Sequence, residues 1–166
     1  MILIALGSNL PSDAGPPERT LRAALRMLDE SGARVRRVSP FYRTPAWPDP
    51  RDPAFVNAVA TIETLLAPDE LLRALEQVET RFGRKRSIAN APRTLDLDIL
   101  DVEGRVEQGP PTLPHPRMTR RAFVLVPLAD VAPDWKHPVT GKSVSELLKA
   151  LPEEERARVK LTHSLK

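Results

Sequence analysis

A mixed α+β fold is predicted by three observations in this 166-residue sequence. Apolar residues recur with a period of two in some segments and of about 3.6 in others. The two kinds of segment run in the order strand, helix, strand, strand, helix, strand. No internal repeat, low-complexity stretch or linker divides the chain, so residues 1–166 are expected to form one domain, and at this length about 70% of the unfolded surface can be buried.

Each element has its own signal. "MILIAL" is an apolar run ended by Gly7-Ser8-Asn9, as for a buried strand entering a turn. Pro16 and Pro17 then precede a helix in which Leu21, Leu25 and Leu28 share a face and Gly32 marks the stop. From Val35 to Tyr42, β-branched and aromatic residues predict a strand, followed by the Pro-rich loop "TPAWPDPRDP". In "AFVNAVATIET" Val56, Ala58, Ala60 and Ile62 take one face of a strand, with Phe55, Asn57, Val59, Thr61 and Glu63 on the other. "APDELLRALEQVETRFG" predicts a helix opened by Pro68 and Asp69 and closed by Gly83, with Leu71, Leu75, Val78 and Phe82 at helical spacing. Glu79 borders that buried stripe. "RTLDLDIL" predicts a further strand and Glu103-Gly104 a hairpin. This order is that of a ferredoxin-like βαββαβ core, an antiparallel sheet covered on one face by two helices. In the C-terminal extension "AFVLVPLADVAP" is open between helix and strand, "SVSELLKAL" predicts a helix, and the last ten or so residues read as a frayed polar tail.

Composition narrows the function. Hydrophobic residues are 41% and charged residues 28%, ordinary for a globular protein. No 18-residue apolar run occurs, and "MILIAL" lacks the basic flank of an export signal, so a cytoplasmic protein without membrane contact is expected. The absence of Cys removes disulfides and thiolate chemistry and leaves oxygen or imidazole ligands for any metal. The net charge is only +3, but the cations are clustered. Residues 80–95 hold Arg81, Arg84, Lys85, Arg86 and Arg93 with no acid, and residues 108–129 hold Arg117, Arg120 and Arg121 with no acid. Such segments suit an anionic ligand, a polyphosphate or a nucleic acid. In a strand Asp96 and Asp98 face the same side, opposite Leu95, Leu97 and Ile99, with the carboxylates about 6–7 Å apart. That spacing suits magnesium bridged by phosphates whose other oxygens meet the arginines. A ferredoxin-like RNA binder is the competing class, yet it needs stacking aromatics where this chain has four Phe, one Tyr and two Trp, and it would present two acids to the RNA phosphates.

The run Pro92-Arg93-Thr94-Leu95-Asp96-Leu97-Asp98-Ile99 closely resembles the signature of the 6-hydroxymethyl-7,8-dihydropterin pyrophosphokinases of folate biosynthesis. The resemblance continues through Gly7-Ser8-Asn9-Leu10, Phe41-Tyr42-Arg43-Thr44-Pro45, Phe55-x-Asn57, Glu79 with Gly83-Arg84, Pro114-His115, Arg121-x-Phe123 and Pro127-Leu128. It implies a ferredoxin-like core and transfer of the β,γ-diphosphate of ATP to the hydroxymethyl oxygen of a reduced pterin, with release of AMP. It further implies that Asp96 and Asp98 hold two magnesium ions, and that Arg84, Arg93 and Asp98 carry the catalysis. Glu79, Arg86, Arg93, Ile99, Thr112, His115 and Arg121 match nucleotide positions. Thr44, Pro45, Ala46, Trp47, Phe55, Asn57 and Phe123 match pterin positions, the two Phe flanking the ring and Trp47 able to act as a lid residue. A monomer or homodimer without nucleic acid is implied. A kinase that moves one phosphate and yields ADP is separated from this reading by the resemblance alone. The chain departs from the family at Asn90-Ala91-Pro92, one residue shorter and without the usual aromatic, at Pro116 and at Pro110.

Overall fold

The computed structural model describes residues 1–85 and 92–162. The predicted core is present: β1 (Ile2–Ser8), α1 (Pro17–Glu30), β2 (Ala33–Val38), β3 (Tyr42–Thr44), β4 (Phe55–Thr64), α2 (Pro68–Arg81) and β5 (Asp96–Val102). The sheet is antiparallel in the order β5-β1-β4, with β2 and β3 both paired to β4, which is the ferredoxin-like arrangement.

Where one strand is predicted over Val35 to Tyr42, there are two. Pro40 has no N–H to give a ladder, and the break is sealed by Ser39, whose N–H donates to the Val59 carbonyl at 2.9 Å while its hydroxyl accepts the Val59 N–H at 3.0 Å. The reversal at Glu103-Gly104 forms, both residues having positive φ, but the chain does not return along β5. The hairpin lies further on, between β6 (Glu107–Gln108) and β7 (Thr112–Leu113). "AFVLVPLADV" is a helix, α3 (Ala122–Val131). It is apolar on nearly all sides and buried along its length, as expected of a helix wedged into a core. Beyond α4 (Val144–Ala150), α5 (Glu153–Ala157) leads to β8 (Lys160–Leu161), which pairs with β3, so the described start of the predicted tail is structured, while its last residues, 163–166, lie outside the described residues.

Both faces of the sheet are covered, not one. Ile4, Leu6, Ala58, Ala60, Leu97 and Ile99 pack against Leu21 and Leu28 of α1 and Leu71 and Leu75 of α2. On the opposite face Leu3, Val59 and Leu100 pack against Leu125 and Leu128 of α3, Trp135 and Leu147. A bulge fixes which β5 residues reach this second face. The register runs Ile4↔Ile99 and then Leu3↔Asp101, so Leu100 is the extra residue. Leu100 and Asp101 then both serve the second core, Asp101 accepting the buried Trp135 indole N–H at 2.9 Å. Tyr42 ties α3 to the sheet through a short hydrogen bond to Asp130 that, with burial, holds its phenol well above the usual range.

Candidate active site

The second face is only half covered. Beyond the start of α3, the three central strands present Asn57, Gly7 and Asp96 in a row, since Gly7 is the register partner of both. Ala5 lies between Val59 and Asp98 in the next row. Neighbouring strands are about 4.8 Å apart, so the Asn57 and Asp96 backbones are about 10 Å from each other across a glycine. A Cβ on Gly7 would stand 2.9 Å from the Asn57 amide nitrogen. The glycine keeps the floor between these two side chains clear.

Asp96 and Asp98 face this open patch while Leu95, Leu97 and Ile99 are in the first core, as the alternation predicts. Ile99 therefore offers a nucleotide only its backbone. Around Asp96 are two guanidinium groups, Arg84 at 2.8 Å and Arg93 at 3.4 Å. Around Asp98 are Arg121 at 3.8 Å and His115 Nε2 at 3.9 Å, distances of electrostatic contact rather than hydrogen bonding. Burial, reinforced by the neighbouring Asp96 charge and only partly offset by Arg121, Arg84 and Arg93, pushes the Asp98 carboxyl up to about 6. His115 is pushed the other way, down to about 4, by burial and by Arg121. It is neutral at pH 7, and since its Nδ1 accepts the Arg117 N–H at 3.1 Å, its proton sits on the Nε2 that faces Asp98.

Glu79 is held inside the protein by partners of its own. It is buried at 4% exposure, accepts the Leu97 N–H at 2.8 Å, and makes a short ion pair with Arg84. Glu79 thus caps the outer edge of β5 and aims Arg84 at Asp96, and the two acids together outweigh burial and raise the Arg84 pKa. Thr112 is exposed on the β6–β7 hairpin. Arg86, with Asn90 and Ala91, lies outside the described residues.

On the other side of the row, Thr44 and Asn57 are buried and joined, the Thr44 hydroxyl donating to Asn57 Oδ1 at 2.8 Å. The Asn57 acceptor is thereby used locally, and the NH2 remains as the donor toward the patch. Phe55 and Phe123 are half-buried, and Arg121 stacks on the Phe123 ring at 5.5 Å. Pro45 is exposed, Ala46 buried, and Trp47 stands 73% exposed on the Pro-rich loop. Two residues of the patch have no role in the sequence-based prediction. Gly7 and Asn9 belong to the quoted Gly7-Ser8-Asn9-Leu10 run, but what they touch lies far along the chain, Asn57 and Asp96 beside Gly7 and Pro53 and Arg93 on Asn9.

A ferredoxin-like sheet whose second face sets two carboxylates, their guanidinium partners and a neutral imidazole beside a buried amide and two half-buried Phe rings is the build of a phosphotransferase acting on a small molecule. The chain belongs to the 7,8-dihydro-6-hydroxymethylpterin-pyrophosphokinase (HPPK) family, whose model matches residues 3–133. It is 41% identical over 148 residues to the 2-amino-4-hydroxy-6-hydroxymethyldihydropteridine pyrophosphokinase of Synechocystis, covering 88% of this chain and 73% of the relative. It is 43% identical over 153 residues to the enzyme of that name from Pseudomonas aeruginosa, covering 91% of each. Among solved structures, the wild-type HPPK-DHPS of Plasmodium falciparum shares the fold with a TM-score of 0.63 at 15% identity, over 89% of this chain and 44% of that longer one.

Proposed function

We infer that this chain is an ATP-dependent pyrophosphokinase that transfers the β,γ-diphosphate of ATP to the hydroxymethyl oxygen of 6-hydroxymethyl-7,8-dihydropterin, releasing AMP, in folate biosynthesis. The observation that carries this reading is the row Asn57–Gly7–Asp96, which sets the Asn57 amide beside a carboxylate and cation cluster on one sheet face. In the reaction the hydroxymethyl oxygen forms a bond to the β-phosphorus. The bond from that phosphorus to the α,β-bridging oxygen breaks, the bridging oxygen leaves with AMP, and the hydroxyl proton is released.

The pterin ring is read as lying between Phe55 and Phe123, with the Asn57 NH2 and backbone groups of Thr44, Pro45 and Ala46 at its polar edge and Trp47 over it. Asp96 and Asp98 are the candidate magnesium ligands. Their donors are carboxylate oxygens, the ligand type magnesium takes. A two-carboxylate site of this kind leaves positions for phosphate oxygens and water, as magnesium requires. Magnesium bound there supplies charge neutralisation at the phosphates and lowers the pKa of the attacking hydroxyl. Arg84 and Arg93, paired with Asp96 before ATP arrives, have phosphate oxygens as their alternative bidentate partners. Arg121 and the Nε2–H of His115 donate from the far side, near Thr112. The backbone of Ile99 completes the proposed nucleotide side, with Arg86 a further candidate outside the described residues, while Glu79 acts by holding Arg84.

The deciding experiment is incubation with magnesium, ATP and the hydroxymethyl dihydropterin, followed by identification of the nucleotide product. AMP with diphosphorylated pterin is expected. ADP, or turnover that does not depend on the pterin, would overturn the reading.

A further inference from the structure

We propose that Asn9 is a positioning residue that locks the phosphate-facing and pterin-facing sides of the site into one geometry; the proposal rests on the transfer reaction above. Asn9 lies just past the end of β1 and is 3% exposed. Its Oδ1 accepts the Arg93 N–H at 2.8 Å, and its Nδ2 donates to the Pro53 carbonyl at 3.1 Å. These partners fix the amide's orientation, because an N–H requires the oxygen and a carbonyl requires the NH2. The Asn9 and Leu10 N–H groups both donate to the Arg93 carbonyl, at 3.1 and 3.2 Å.

Both backbone polar groups of Arg93 are therefore held by the end of β1. Its backbone is fixed on both polar groups while its guanidinium stands 3.4 Å from Asp96. Through the same side chain Asn9 holds Pro53, two residues before Phe55 and four before Asn57. A single buried amide thus sets how far Arg93 reaches toward the phosphates and where the segment leading to Phe55 and Asn57 begins. Asp in this place keeps an acceptor for Arg93 but turns an oxygen toward the Pro53 carbonyl. Ala gives up both bonds.

The test compares Asn9→Ala and Asn9→Asp in the wild-type and Arg93→Ala backgrounds, with steady-state kinetics, thermal midpoints and backbone hydrogen exchange of the peptide spanning residues 92–95. Small displacements of a positioned group cost up to about 10²-fold in rate, so Asn9→Ala is expected to lower kcat by about 10- to 100-fold. Added to Arg93→Ala it should lower kcat by less than about threefold, since residues acting through one another are not additive. Asn9→Asp should keep kcat within about fivefold of wild type while raising the pterin KM, separating the Arg93 bond from the Pro53 bond. Residues 92–95 should exchange faster in Asn9→Ala. Equal kcat losses in both backgrounds, or a lower thermal midpoint with kcat and KM unchanged, would overturn the proposal. If the wild-type protein forms no AMP, the transfer reading fails by itself, and unchanged exchange at residues 92–95 would separately show that Asn9 does not hold Arg93.

Discussion

The two faces of the central sheet are built from the same three strands and have opposite characters. The face under α1 and α2 is sealed by aliphatic side chains, with Leu21, Leu28, Leu71 and Leu75 fully buried. The other face is sealed by α3 only up to the level of Val59 and Leu100. Past that point the same strand positions carry Asn57, Gly7 and Asp96, with Asp98 level with Val59 at the outer strand. The period-two alternation of a strand makes this division possible, because one set of residues can be chosen for packing and the interleaved set for chemistry without either constraining the other. Stability is concentrated on one side and reactivity on the other.

That division can be broken in both directions. Asp98→Ala should have the largest effect, an activity loss of about 10³-fold, the order expected when several kcal/mol of transition-state charge stabilisation is removed. Circular dichroism should show an intact fold, and near-normal turnover across a magnesium titration would remove Asp98 from the site. On the opposite face Leu75→Ala should cost about 2–5 kcal/mol of stability in chemical denaturation, while kcat per folded molecule is unchanged. A comparable loss of kcat would mean that the faces are not separable. Arg93→Ala should lower kcat by at least about 10²-fold with little change in thermal midpoint, and an unchanged rate would make the loop arginines surface charge.

The smallest expected effect concerns pH. A histidine lowered to about 4 in the fold binds fewer protons than the unfolded chain between pH 4 and 6.5, so its contribution to stability is present above 6.5 and lost as pH falls toward 4. Asp98, raised to about 6, acts in the opposite sense, its contribution present below 3.8 and lost as pH rises through 6. His115→Gln removes only the first of these opposed contributions. Acid-induced loss of stability between pH 6.5 and 4 should therefore become shallower in that variant, as read from thermal midpoints across that range.

Much of this was legible in the chain. The strands β1, β4 and β5 and the helices α1 and α2 follow from periodicity and their start and stop residues, and the pairing of Asp96 with Asp98 opposite Leu95, Leu97 and Ile99 is a local consequence of alternation. The failures have equally physical causes. Pro40 split a strand that composition made continuous. The Glu103-Gly104 turn formed, but the returning chain pairs with itself as β6 and β7 and meets β5 through the His115 N–H on the Leu100 carbonyl. Lys160 and Leu161 read as part of a polar tail because β8 draws its order from the edge of β3, which no local pattern reports. Glu79 was visible as a carboxylate on a buried stripe, whereas its partners, the Leu97 N–H and Arg84, come from another element and a following loop.

By itself the sequence determined the ferredoxin-like order of elements, the two carboxylates on one strand face and the family, because periodicity and short motifs are local properties of the chain. Only the tertiary structure decided that Asn57, Gly7 and Asp96 form one row, that Arg84 and Arg93 converge on the same acid, and that Asn9 joins Pro53 to Arg93. The register between strands is set by burying one whole face against α1 and α2 and by the bulge at Leu100, and those non-local packing requirements bring the row together.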